Sequence, residues 1–273
     1  MTIQAVHAVY FSATGTTRRV VEAVANSLGE LLSKPVIVCD FTLPAQREQT
    51  LCFGAGDLVI FGTPVYAGRV PNVLAPYIQE KVKGNGAMAV PMVVYGNRNY
   101  DDALIELRDL LESDGLHTIA AGAFIGEHSF SYELGKGRPD EKDLELARQF
   151  AKQVGEQVQR MESVLKHPVP VNGHTPLRPH YVPQDRNGNK VNILKVHPET
   201  RDTCTRCGLC ASVCPMGSIS QLDAFEMIGI CIKCGACVKQ CPVGAKYYAD
   251  ERYLYHQHEL EEMFARRAEP ELF

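Results

Sequence analysis

Over the first 165 residues the apolar positions fall into two kinds of stretch, short and nearly unbroken runs and longer segments with helical spacing. The runs cover residues 5–11, 36–39, 58–61, 88–95 and 118–125. Their length and continuity are those of strands buried on both faces of a parallel sheet. Between the first two, Val20, Val21, Val24, Leu28, Leu31 and Leu32 recur at helical intervals and predict a helix with one apolar face, ending near Ser33. Similar stretches predict helices over 70–81, 101–114 and 140–165. Strand and helix in alternation make a βαβ series, and hence a doubly wound α/β fold with five parallel strands covered on both faces.

Beyond residue 166 the pattern changes. Residues 167–200 carry Pro168, Pro170, Pro176, Pro179, Pro183 and Pro198, with little periodicity outside 191–196, which predicts an extended linker long enough to wrap one part of the chain on another. Residues 251–267 are polar and helix-prone, with Tyr253, Leu254, Leu260, Met263 and Phe264 as a packing face and the charges as solvated surface. The domain limits expected are 1–166, 167–200, 201–249 and a helical tail, 250–273.

Eight of the ten cysteines lie between Cys204 and Cys241, in two copies of C-x2-C-x2-C-x3-C-P, CTRCGLCASVCP and CIKCGACVKQCP. In register, Gly208 falls on Gly235, Pro215 on Pro242 and Gly217 on Gly244, so the segment is an internal repeat. Structural zinc usually takes two C-x2-C pairs with a longer spacer, and a disulfide framework belongs to small secreted domains. Three thiolates two residues apart, then a fourth and a proline, instead suit iron–sulfur ligation. The segment resembles the bacterial, clostridial-type ferredoxins down to its CPMGSI and CPVGAK endings, although Lys246 stands where those proteins often carry an apolar residue. In two-cluster ferredoxins the fourth cysteine of each motif ligates the other cluster. The resemblance therefore implies one 4Fe-4S cluster on Cys204, Cys207, Cys210 and Cys241, a second on Cys231, Cys234, Cys237 and Cys214, and a small α+β two-cluster domain around them.

The first strand run leads into SATGTT, which is Ser12, Ala13, Thr14, Gly15, Thr16 and Thr17, and then into the first helix. Backbone N–H groups at a helix N-terminus, with short hydroxyls beside them, form an anion site suited to a phosphate; a plain Ser/Thr-rich helix cap has the same look. Neither G-x-G-x-x-G nor the Walker A pattern is present. SATGTT resembles the phosphate loop of the flavodoxin family, which binds FMN. That resemblance implies strand order 2-1-3-4-5, with the ligand at the switch point after strands one, three and four.

The matching flavin-ring loops are Thr63, Pro64, Val65, Tyr66, Ala67 and Gly68 after strand three, and Tyr95, Gly96, Asn97, Arg98, Asn99 and Tyr100 after strand four. In that family a carbonyl of the first loop meets the flavin N5 proton, which maps to Ala67 or Gly68. Aromatic rings often sandwich the flavin, and with no Trp in the chain Tyr66 and Tyr100 are the candidates. Glu127 and His128, after strand five, fall on the same sheet edge, where they would gate the ring or touch a substrate.

At 273 residues, with 28 basic against 32 acidic side chains, a net charge of -4 and scattered cations, the chain offers no footprint for nucleic acid. No apolar run reaches the ~18 residues of a membrane span, the N-terminus has no leader-like pattern, and a cysteine-rich chain of this kind fits a reducing compartment, so a soluble, cytoplasmic protein is expected. Cys39 and Cys52 are left over and are expected to be small half-buried hydrophobes.

Together the resemblances imply an electron carrier coupling FMN to two clusters, with redox proteins as donor and acceptor. Two other functions stay open. One is an FMN-dependent reductase of a quinone, nitro group, enone or oxygen, and the other is a binding module in which the clusters only hold the fold. A homodimer with transfer between subunits stays open as well.

Overall fold

The computed structural model describes residues 2–185 and 187–273. Its centre is a parallel sheet of β1 (Ala5–Tyr10), β2 (Val36–Asp40), β3 (Asp57–Pro64), β4 (Met88–Tyr95) and β5 (Gly122–Ile125). Reading across, the order is β5-β4-β3-β1-β2, the flavodoxin-like order 2-1-3-4-5. β1, β4 and β5 are buried at every position, as unbroken apolar runs require in a doubly covered sheet.

Helices α1 (Thr16–Leu32) and α4 (Glu141–Arg160) cover one face, and α2 (Ala75–Lys81) and α3 (Ala103–Ser113) the other. Val20, Val21, Val24, Ala25 and Leu28 of α1 are all buried against β1 and β3, each large aliphatic among them contributing roughly 1.5–3 kcal/mol. The contact is close at Gly62 of β3, where a Cβ would stand 2.3 Å from Val21 Cγ2, so only glycine lets α1 approach this far.

The largest departures from the periodicity are at α2, α4 and the fifth run. α2 starts at Ala75 rather than 70, because Pro71 and the residues after it form a turn whose carbonyl starts the helix. α4 stops at Arg160 rather than 165, where Met161 turns extended. The fifth run is split: residues 117–118 pair with the start of β4 and β5 with its end. Beside this break the chain adds a strand that periodicity did not predict. Glu271–Leu272, β6, pairs antiparallel with β5, and Ala121 and Phe273 exchange both backbone hydrogen bonds.

The proline-rich stretch is extended and lies on the sheet domain. Val169 N–H donates to Thr118 Oγ1, Gly173 packs on Ile105, and Tyr181, Pro183, Ile193 and Leu194 lie over the C-terminal ends of the strands. The cysteine segment contributes α5 (Leu209–Ser212), α6 (Ala236–Lys239) and a ribbon of 199–200 with 246–247. It is followed by α7 (Glu251–Met263), capped by Asp250, which accepts from Arg252 and Tyr253 N–H.

Tyr253 and Leu260 are buried as expected, whereas Met263 is 67% exposed. The charges of α7 are not all solvated surface, since His256 and Glu259 are buried. Tyr253 joins Tyr248, Ile193 and Val196 in a cluster that also takes in Phe130, so the linker, cysteine segment, α7 and sheet domain share one apolar centre. No helix among the described residues is long and apolar enough to cross a membrane.

Candidate cofactor groove and thiol sites

A groove runs along the C-terminal edge of the sheet in three connected hollows. The first, about 410 Å³, lies at the N-terminus of α1 and is lined by Ser12, Ala13, Thr14, Gly15 and Thr16, with Arg18, Arg19, Arg138, Lys239 and Gln240 around them. The cap residue Gly15, at φ 85°, has no side chain to occupy the first amides of α1; Ser12 takes that of Arg18, which leaves those of Thr16 and Thr17 to an anion. Ser12 Oγ accepts from Arg18 N–H, and Ser12 N–H donates to Thr42, which fixes the loop.

A neck lined by Thr14, Thr16, Thr17, Pro64 and Gly126 leads to the third hollow, about 210 Å³. Its floor is Val65, Tyr66, Ala67, Gly68, Tyr95, Gly96, Arg98 and Asn99. Tyr181, Pro183, Ile193 and Leu194 of the linker cover it, with Ile232 and Lys233 of the cysteine segment and His256 and Leu260 of α7.

Three of the expected groove residues face elsewhere. Thr63 is fully buried inside β3. Asn97, left-handed at φ 65°, donates to the carbonyls of Phe264 and Arg266 and accepts from Ala268 N–H. Tyr100 donates to Glu271 at 2.6 Å and packs on Tyr95 rather than opening onto the hollow, which leaves Tyr66 as the stacking candidate. Both carbonyls mapped to N5 already accept a backbone N–H, Ala67 from Tyr181 and Gly68 from Asp102.

Glu127 and His128 do not gate an open edge. Glu127 pairs with Lys239 and accepts from Gly137 N–H, and His128 Nδ1 accepts from Phe130 N–H. Burial, with Lys239, His256 and Arg98 nearby, pushes the His128 imidazole down to about 3, so it stands neutral over the hollow. His256 lines the same hollow, and burial and Arg98 lower it to about 4; its buried Nδ1 has no hydrogen-bond partner among the described residues. Sequence reasoning missed His256, which looked like one polar residue of a solvated helix.

The linker is anchored at one corner of the groove. Asp102 accepts from Arg178 N–H at 2.7 Å and from its guanidinium at 2.7–3.1 Å, with His174 at 3.1 Å. Burial alone would raise this carboxyl, but the Arg178 and His174 contacts hold it well below the usual carboxylate range.

The eight repeat cysteines surround two further hollows. One is walled by Cys204, Cys207, Cys210 and Cys241, the other by Cys214, Cys231, Cys234 and Cys237. Both are otherwise mostly apolar, and amides point at the sulfurs: Arg206 N–H at Cys204, Lys233 at Cys231, Ser218 at Cys214 and Ala245 at Cys241, over 3.2–3.4 Å. Burial pushes the Cys237 thiol up to about 12 and Cys234 further, so these sulfurs need a bound metal to exist as thiolates at neutral pH. Cys241, despite some burial, is drawn down by the amides of residues 243–246. Four thiols around a hollow, with amide donors to sulfur, fit a 4Fe-4S group. Of the two remaining cysteines, Cys39 is half-buried as expected, but Cys52 is exposed.

The second thiol site and the groove share a wall. Ile232 lines both hollows, the Tyr66 phenol, desolvated in the groove floor, feels the Cys234 and Cys231 sulfurs, and a Cβ on Gly235 would stand 2.5 Å from Ser129 O.

The family model described as the 4Fe-4S dicluster domain matches residues 198–242. No curated protein matches the chain by sequence. Among solved structures, a flavodoxin from the domain Archaea is similar at 16% identity and TM-score 0.42, covering 58% of this chain and 100% of that one. A Streptococcus pneumoniae TIGR4 flavodoxin gives 18% and 0.40 over 56% and 99%. Rubredoxin oxygen:oxidoreductase from Desulfovibrio gigas gives 15% and 0.41 over 58% and 37%. The fold assignment rests on the strand order rather than on these scores. By that order and by the family match, the class is a flavodoxin-like α/β domain joined to an iron–sulfur segment. More narrowly, residues 198–242 match the 4Fe-4S dicluster model and are packed against the sheet at the groove.

Proposed function

We propose that the chain is an electron-transfer protein in which FMN occupies the groove and two 4Fe-4S clusters occupy the thiol sites, the Cys231 site relaying between the flavin and the Cys204 site. One observation carries this reading: Tyr66 stands between the groove and Cys231 and Cys234. When bound, FMN supplies exchange of one or two electrons and each cluster exchange of one, so the pair couples two-electron to one-electron chemistry.

The chain's own residues do the holding. Ser12, Thr14, Thr16 and the amides of Thr16 and Thr17 would hold the phosphate, Tyr66 would lie against the ring, and Tyr181, Pro183, Ile193 and Leu194 with α7 would keep water from it. Cys207 is exposed, which makes the Cys204 site the door for donor and acceptor proteins. The covered hollow and the Glu127–Lys239 pair weigh against direct reduction of a small acceptor at an open ring edge. The relay lies within one chain and needs no second copy.

The test is anaerobic purification with iron, sulfide and FMN quantification, then stopped-flow reduction followed at flavin and cluster wavelengths. About eight irons and one FMN per chain are expected, with a phase of flavin reduction whose rate is independent of protein concentration. Zinc in place of iron, absent flavin, or reduction only in bimolecular steps would overturn the reading.

A further inference from the structure

Because the cysteine segment is an internal repeat, each half serves as a control for the other. Gly208 and Gly235 both have φ 74°, Gly217 and Gly244 have 60° and 61°, and Arg206 and Lys233 have 55° and 57°. The amide donors to sulfur recur at matched positions as well. The register that superposes the cysteines also pairs Ile219 with Lys246. Both are buried, at 2% and 4% exposure. Ile219 walls the hollow of Cys214, Cys231, Cys234 and Cys237; Lys246 walls that of Cys204, Cys207, Cys210 and Cys241.

The halves therefore match in backbone and in amide donors, but the walls of their hollows differ by one cation, Lys246; Lys239, which the register sets against Ser212, is paired with Glu127. Lys246 Nζ donates to Ala224 O at 2.5 Å, and among the described residues no carboxylate forms an ion pair with it. A Lys ammonium is a compact charge, and away from water its field is weakly screened. Adding an electron makes a cluster more negative by one charge, so a nearby cation favours the reduced form and raises the potential. Arg206 and Lys233 occupy matched positions and offset one another between the halves to first order. Lys246 acts electrostatically on Cys210 of the hollow it walls and also on Cys237 of the second, so both clusters feel it and the comparison between them decides.

We propose that Lys246 separates the potentials of the two clusters, holding the Cys204/Cys207/Cys210/Cys241 cluster above the level that an apolar residue, as at Ile219, would give it. This rests on the two-cluster reading above. The electron then settles on the outer cluster, beside exposed Cys207, and must be driven inward through the Cys231 site to reach the flavin.

The experiment uses the full-length protein purified anaerobically as wild type, Lys246→Ile, Lys246→Gln and Lys246→Arg. Iron and sulfide are quantified, and potentiometric titrations are followed by EPR. Lys246→Ile and Lys246→Gln, with full iron, should weaken the reduction equilibrium of one cluster at least tenfold, about 59 mV for one electron, and of the other by less. Lys246→Arg should leave both near wild type. Equal shifts at both clusters, or none, with iron retained would overturn the proposal. So would loss of iron in both uncharged variants, which would make Lys246 a structural residue. Wild-type protein with half the expected iron would instead refute the two-cluster reading.

Discussion

The ammonium of Lys239 lies 2.5 Å from the carboxylate of Glu127, an ion pair that ties the iron–sulfur segment to the sheet domain beside the neck of the groove. Lys239 also donates to Ser131 O and sits over the ring of Tyr132. Burial lowers its affinity for the proton, and Glu127 offsets that. Lys239→Ala should leave Glu127 without its partner in a largely buried setting and cost about 1–3 kcal/mol. Urea unfolding of the cofactor-loaded protein, with FMN release followed by fluorescence, measures both the loss and the faster escape of flavin; an unchanged midpoint and release rate would show the pair to be incidental.

Gly15→Val places a side chain at φ 85°, a conformation that costs a non-glycine residue about 1–3 kcal/mol, in the loop assigned to the phosphate. FMN affinity should fall roughly 5- to 150-fold while iron content stays as in the wild type. Flavin content unaffected by the change would remove the phosphate assignment.

Asp102 sets a pH dependence for the strap formed by the linker. Its folded-state pKa is depressed, so its contribution is fully present above the unfolded value of about 4 and is lost only as pH falls through the lower folded value. Protease sensitivity of residues 174–194 should therefore be flat from pH 5 to 8 and rise in stronger acid. Asp102→Asn should raise it at every pH. The expected cost is about 2 kcal/mol, less than for a fully buried pair because the Arg178 side chain is 46% exposed.

His256→Leu removes a buried imidazole whose Nδ1 has no hydrogen-bond partner among the described residues and which lines the hollow assigned to the ring. We expect a shifted flavin absorbance and FMN binding weakened by about 1 kcal/mol, the usual worth of one hydrogen bond. Cluster spectra should not move. An unaltered flavin spectrum would place His256 outside the contact.

The strands and helices of the sheet domain were legible because burial on two faces or one leaves a period in the sequence, and the cysteine repeat because its spacing is chemical. What was hidden came from partners far along the chain. Asn97 and Tyr100 look like turn and stacking residues in their own loop, yet they bind Phe264, Arg266 and Glu271. A two-residue strand such as Glu271–Leu272 has no period at all and exists only because β5 offers it an edge. Glu127 read as a loop carboxylate because its partner Lys239 lies 112 residues away. The oddity of Lys246 was visible, but the wall it occupies was not.

The strand that finishes the sheet comes from beyond the cysteines, so the two parts of the molecule, separable on paper, are stitched together like a hem turned back on itself. Cutting the chain at the linker would leave β5 with a bare apolar edge, the kind of surface on which chains pair with one another. It would also strip Asn97 and Arg138 of the carbonyls they hold. An insertion or deletion between the cysteines and β6 would therefore be felt at the far edge of the flavodoxin-like sheet.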